Sequence, residues 1–395
     1  MRKLLFIAVL VPLLGGVGWW YFREQTLPDY GPSFREFAYV TNGKSNTVSV
    51  IDLRFFRLAK TLHVGSEPTG IAANGKKNEI YVVNTGSSNV SVIDAETNAV
   101  VATIGVHGRP YFIDVSSDGK RGYVANSGSS NVSVIDLEKR AVVGNVRVGA
   151  SPGMARVSPD GTTVVVSNRG DNTVSLIDAN QLRVRATLPV CQQPEDIAIL
   201  PDSSKAFVAC SGSSQVASIA LRNEATKSTE KKDDRVLALL DVGRTPVSLT
   251  LKPDGGELMV CDFDSDSISI IETGNDEVGS TQEIGQRPSR GVVTLDNSRL
   301  YVTNFGSNSV AVYDIDMGRR IATLTVGSRP DGLALTPDQN YLLVLDTQSG
   351  DVTVIQKRKP RKLEPTEYSL LTLIPVGMQP NAIVVKSFMV STKKQ

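Results

Sequence analysis

Five arginines of this 395-residue chain, Arg109, Arg244, Arg287, Arg290 and Arg329, stand within two residues of a proline. Tyr111, Glu195 and Asp331 each follow such a proline directly. A guanidinium presents a planar fork of donors that matches a carboxylate or a phosphate. Together these residues read either as a binding mouth for an anionic or extended ligand, or as a polar rim in which the acids neutralise the bases.

Other groups are poorer in chemistry. Asp262, Asp264 and Asp266 alternate as at the start of a calcium loop, but Ser267 stands where a glycine is needed and no glutamate closes the loop. They align with a turn found elsewhere in the chain, so they are a weak metal candidate and no metal is expected. Arg169-Gly170-Asp171 is a three-residue match to an adhesion motif, expected at an exposed hairpin tip. His63 and His107 are the only histidines, too few for a histidine-based hydrolase centre. G-x-S-x-G occurs once, as GASPG at 149–153 in a proline turn, and no P-loop or H-E-x-x-H is present; this leans against an enzyme and leaves no catalytic residue to name. Cys191, Cys210 and Cys261 form no C-x-x-C, which excludes covalent c-type haem and the usual zinc spacings. An odd count leaves at least one thiol unpaired, and all three read as small buried apolar residues. The formal net charge of +1 argues against a nucleic-acid partner.

What positions these residues is a repeat. NTGSSNVSVID at 84–94 returns as NSGSSNVSVID at 126–136. The first residue of this phrase recurs at Asn42, Asn84, Asn126, Asn168, Cys210, Asp262, Asn304 and Asp346. The proline of a V-G-x-x-P phrase keeps the same rhythm at Pro68, Pro110, Pro152, Pro194, Pro246, Pro288, Pro330 and Pro380. A period of about 42 residues holding four short Val/Ile/Tyr-rich runs, divided by turns such as Ser-Pro-Asp-Gly, is the signature of propeller blades. The expected fold is all-β, with eight four-stranded blades. FAYVTN (37–42) opens inside a blade as a second strand, and NAIVVKS (381–387) ends the chain as a lone first strand. Pairing the two closes the ring and removes an open edge. The recurring Asn or Asp is expected to bond backbone two residues on and to tolerate the left-handed conformation. Two charged insertions, 221–235 and 356–368, break the rhythm and read as solvated loops.

Residues 1–22 lie outside this scheme. Arg2 and Lys3 precede a nineteen-residue uncharged run that ends in Trp19-Trp20-Tyr21-Phe22. The run is about long enough to span a bilayer core, and its aromatic end suits the interface. It reads as a transmembrane signal anchor facing the periplasm. A cleaved signal is the alternative, which would leave a periplasmic or cell-surface protein. Residues 23–36 are a tether, 37–388 the propeller and 389–395 a tail.

The phrases YVTN at 39–42 and 301–304, with VSVID, TVG-x-x-P and SPDG, resemble the YVTN-repeat beta-propeller family across 37–388. The resemblance implies an exported bacterial or archaeal propeller, often periplasmic or on the cell surface, without one shared activity. It also implies seven blades as the alternative to eight. Eight-bladed propellers do occur, among them the haem-d1-binding domain of periplasmic nitrite reductases. The expectation is a binding or scaffold module that takes a protein or an anionic small molecule on the channel face. A tetrapyrrole-like cofactor or metabolite binder and a lactonase-like hydrolase are the alternatives. The sequence itself requires no cofactor.

Overall fold

A computed structural model describes residues 31–222, 233–358 and 367–390. The N-terminal apolar run and the centres of both charged insertions lie outside the described residues. Among the described residues, no helix is long and apolar enough to cross a membrane.

The chain forms eight four-stranded antiparallel sheets, each with its strands in sequence order except where the ring closes. These are blades 1 to 8 in chain order, and the count is eight rather than seven. Blade 1 takes three strands from the N-terminal part, Phe34–Asn42, Thr47–Asp52 and Arg57–His63, and its innermost strand, Pro380–Met389, from the C-terminal end. The sheet therefore reaches slightly beyond 37–388 at both ends.

Each blade has the same burial profile because each has the same neighbours. The second and third strands are buried almost throughout, as in Tyr341–Asp346 and Thr47–Asp52. The outermost strands alternate between half-buried and exposed residues, as in Arg235–Asp241. Successive side chains of a strand point to opposite faces. Thus Tyr39 joins the cluster shared with blade 2 while Ala38 and Val40 join the cluster shared with blade 8. Apolar clusters of this kind sit at all eight blade interfaces. One sheet could not cover both of its faces alone, and a closed ring does.

The recurring Asn works differently from the sequence expectation. Its side chain reaches across the hairpin rather than to nearby backbone. Asn84 Nδ2 donates to Asn89 Oδ1 at 2.7 Å and to Ser91 Oγ at 2.9 Å. Asn42, Asn126 and Asn168 repeat the pattern with residues five and seven positions on. The left-handed residue is instead four positions later, at Asn46, Ser88, Ser130, Asn172, Ser214, Asp266 and Asn308.

A second left-handed residue precedes every inner-strand proline. Among these, Arg109, Arg287 and Arg329 have φ of 51°, 51° and 52°. Such a conformation costs a residue with a Cβ about 1–2 kcal/mol. The hairpin of the same blade offsets it. The amides of Ser127, Phe305 and Thr347 donate to the carbonyls of Arg109, Arg287 and Arg329 at 2.9, 3.0 and 3.1 Å. The loops leading into the inner strands and the second-to-third-strand hairpins are thereby locked together on one face, the channel face.

Candidate functional site: the channel mouth

A cavity of about 320 Å³ opens between the inner strands of blades 1, 2, 3, 4, 7 and 8. Its polar lining is Tyr111, Arg156, Arg290, Asp331, Thr69 and Asn381, and Phe112 and Met154 supply apolar surface. Arg156 was not foreseen. It is the fifth residue of the strand Pro152–Val157, PGMARV, where a lone charge in an apolar run is its only sequence signal.

Arg290 Nη1 lies 3.8 Å from Asp196 Oδ2, and Arg156 Nη1 lies 3.9 Å from Asp114 Oδ1. Both separations are too long for direct hydrogen bonds. The acids have other work: Asp196 accepts the amides of Ile197 and Leu249, and Asp114 accepts that of Val157. The bonds from Leu249 and Val157 tie the inner strands of adjacent blades together. Burial holds the Asp114 carboxyl above its ordinary range, opposed by Arg156 and the Val157 amide. For Arg290, burial works against the charge, but the carboxylates of Asp196 and Asp331 outweigh it and raise the pKa. The Arg290 side chain lines the cavity and is 42% exposed. Arg156 lies over the Phe112 ring at 4.6 Å, and its Nε is buried without a hydrogen-bond partner. Two cations thus reach into the channel with donors to spare.

The remaining rim residues are spread around this centre. Glu195 is held by Arg169 Nη2 at 2.6 Å and by Ser211 Oγ at 3.1 Å. Arg169 also lies over Tyr111 at 5.7 Å. The Arg-Gly-Asp tripeptide is thereby engaged at both ends, since Asp171 accepts the Ala150 amide and the Thr173 hydroxyl. Arg109 is exposed at the rim. Arg244 donates to the Asp264 carbonyl at 2.7 Å. Arg287 and Arg329 lie over Phe263 and Phe305, each at 5.5 Å, and those two rings are 5.9 Å apart. This cation–aromatic row borders a second cavity of about 720 Å³, lined by Lys44, Phe305, Arg329 and Met378 and sharing Asp331 with the channel. Asp262, Asp264 and Asp266 are not brought together. Asp262 is buried on Ser269, Asp264 accepts from Thr245, and Asp266 accepts the Arg287 amide. Among the described residues, no group of three or more His, Cys, Asp or Glu is arranged to hold a metal ion.

Comparison with known proteins agrees with this architecture. A family model described as a YNCE-like beta-propeller matches residues 19–156. Residues 19–156 are thus similar to a YNCE-like beta-propeller. A second model, described as a seven-bladed beta-propeller lactonase, matches residues 282–376. No curated protein sequence matches the chain. Similar solved structures include a dihydro-heme d1 dehydrogenase in complex with DHE, at 15% identity and TM-score 0.69, covering 88% of this chain and 74% of that one. Hydrazine synthase of Kuenenia stuttgartiensis is similar at 20% identity and TM-score 0.55, covering 80% and 91%. A Lactobacillus plantarum protein is similar at 16% identity and TM-score 0.59, covering 89% and 99%. At these identities the likeness is one of fold.

In this propeller the cysteines correct the sequence reading. Cys191 and Cys210 form a disulfide, and Cys261 is free and buried. The reason lies in the repeat. In six blades the Gly of V-G-x-x-P, or of I-G-x-x-P in blade 7, packs against that blade's marker Asn or Asp. A Cβ on Gly65 would lie 2.7 Å from Asn84 Cβ, and one on Gly149 2.7 Å from Asn168 Cβ. Blade 5 replaces both partners with cysteine, Cys191 at the glycine place and Cys210 at the marker place. A contact too close for two side chains becomes a covalent bond. The coincidence of two cysteines with both repeat markers was the available signal. Titration of unfolded, unreduced protein should find one thiol, and three after reduction; three without reductant would disprove the bond. Reduction should destabilise the fold by about 3 kcal/mol, as expected for a loop of this size.

Proposed function

We propose that this propeller is an exported binding module whose channel mouth takes an anionic small molecule, most suitably a planar polycarboxylate of the tetrapyrrole class. The observation that carries the reading is the pair Arg156 and Arg290, which point unspent donors into the channel beside Tyr111 and Phe112. Guanidinium forks recognise carboxylates, and the rings supply flat apolar contact. Arg329, Lys44 and Phe305 in the adjoining cavity extend the same chemistry outward for a ligand larger than the channel pocket. The dihydro-heme d1 dehydrogenase shares this fold, which supports the ligand class. Export is supported by the apolar N-terminal run and by a disulfide, which persists in oxidising compartments.

Protein purified from its native host should carry visible absorbance, or acquire it on titration with a tetrapyrrole carboxylate. Arg156→Ala and Arg290→Ala should each weaken binding by about 1–3 kcal/mol with little change in melting temperature. Colourless protein with no affinity for such ligands would refute the ligand class. Unaltered binding in the double variant would move the site elsewhere.

The second reading is a lactonase-like hydrolase, favoured by the match over 282–376, which contains Arg290 and Asp331. Lactone opening yields a carboxylate that the same arginines would hold. Acid release from simple lactones, lost in Asp331→Asn, tests it directly.

A further inference from the structure

We propose that the corner where blades 8 and 1 meet, on the face opposite the channel mouth, docks on an anionic lipid surface. Phe55 is 51% exposed at the tip of the blade 1 turn, between the guanidiniums of Arg54 and Arg57 at 5.2 and 5.1 Å. Arg54 Nη1 also donates to the Phe34 carbonyl at 3.2 Å, so the tip touches the point where the chain enters the fold. Phe34 pairs with Met389, which is 59% exposed. Arg35 lies beside them, its guanidinium on the Pro32 and Phe34 carbonyls. Blade 8 joins the patch: Phe56 stacks on Tyr341 at 4.5 Å, Tyr341 pairs with Gln356, and Lys357 and Arg358 follow.

Five basic residues and two exposed apolar ones therefore share one corner of a chain whose net charge is only +1. Glu367 stands opposite Arg358 across the strand pair and Asp296 lies near Lys357, so the excess positive charge rests on Arg35, Arg54 and Arg57. Asp52 is spent on Arg54 at 3.1 Å. Glu36 is buried, and burial with the Asp338 carboxylate nearby pushes it up to about 7. The position argues for lipid rather than an acidic protein. The segment ahead of Phe34 leads back, within about a dozen residues, to the nineteen-residue apolar run ending in Trp19-Trp20-Tyr21-Phe22. Set in a bilayer, that run would hold the entry corner nearer to the lipid than the channel mouth. Basic side chains beside a tether gain from anionic headgroups, and Phe55 suits the interface. The channel mouth then faces away from the membrane. This inference is independent of the channel ligand.

The test places a nitroxide at Phe55→Cys, or at Met378→Cys on the channel face as control, in full-length chain synthesised into vesicles. Vesicles of phosphatidylcholine with phosphatidylglycerol are compared with phosphatidylcholine alone. The label at 55 should gain oxygen accessibility and lose accessibility to a water-soluble nickel complex in the anionic vesicles only. Arg57→Glu with Arg358→Glu should return it to water while circular dichroism shows the fold intact. Label 378 should stay in water throughout. A label at 55 as wet as label 378 in anionic vesicles, or immersed equally in both lipids, overturns the proposal.

Discussion

Deleting residues 381–395 should give a protein that aggregates, or that melts far below the full chain. The strand lost is the innermost of blade 1 and its only contribution from the C-terminal half. Phe34 to Asn42 pair with it from Met389 back to Pro380. Its removal strips the ladder from one edge of Phe34–Asn42 and takes away Thr41 Oγ1–Asn381 Oδ1 and the Phe37–Phe388 contact. Phe388 alone contributes about 2 kcal/mol by burial, and each lost ladder bond adds roughly 1 kcal/mol. Against a total stability of about 5–15 kcal/mol, the sum consumes most of the margin. The exposed edge also lies beside the channel, where it can template pairing with another chain. Calorimetry and size-exclusion chromatography decide the matter. A truncated monomer melting with the full chain would mean that blade 1 stands on three strands and the ring does not depend on closure.

The closure was legible because a strand-like run without partners opened the chain and another ended it. The blades were legible because two markers kept one period. The site was less so. Arg109, Arg244, Arg287 and Arg329 sit in the loops expected of them, but Arg244 is laid on the Asp264 carbonyl of its own blade's hairpin, and Arg287 and Arg329 on Phe263 and Phe305 of the neighbouring hairpins. Sequence spacing locates a loop and does not say which way its side chains lie. The channel wall is instead made by inner-strand residues, Tyr111, Arg290 and Asp331 among those expected and Arg156 among those missed. An arginine inside PGMARV looks like an interruption of a buried strand. Only the ring geometry shows that one face of that strand borders water.

Asp262→Asn together with Asp346→Asn should stabilise the protein above pH 7 and leave it unchanged near pH 4. These two aspartates occupy the marker place that asparagine holds in five other blades. Both are fully buried. Burial pushes the Asp262 carboxyl up to about 6, against hydrogen bonds from Ser269 and the Gly243 amide that pull it down. Burial likewise raises Asp346, with the Asp351 carboxylate adding to the effect. An unfolded aspartate titrates near 3.9. Between that value and 6 the folded state keeps a proton that the unfolded state releases. Stability therefore falls as pH rises through this window, and the loss is complete above the folded value. For Asp262 the difference corresponds to about 3 kcal/mol. Asparagine carries no such charge, and its amide has work waiting. In blades 1 to 4 Nδ2 donates to the residues five and seven places on, which here are Ser267 and Ser269. Ser267 Oγ is buried beside the Asp262 carboxyl, and the amide introduced by Asp262→Asn would donate to it. In blade 8 the matching acceptors are Asp351 and Thr353. Chemical unfolding of the wild type from pH 4 to 8 should show the decline, and the double variant should flatten it. A variant that loses stability equally at both ends of the range would mean that the carboxyls, not their charge, are what the hairpins need.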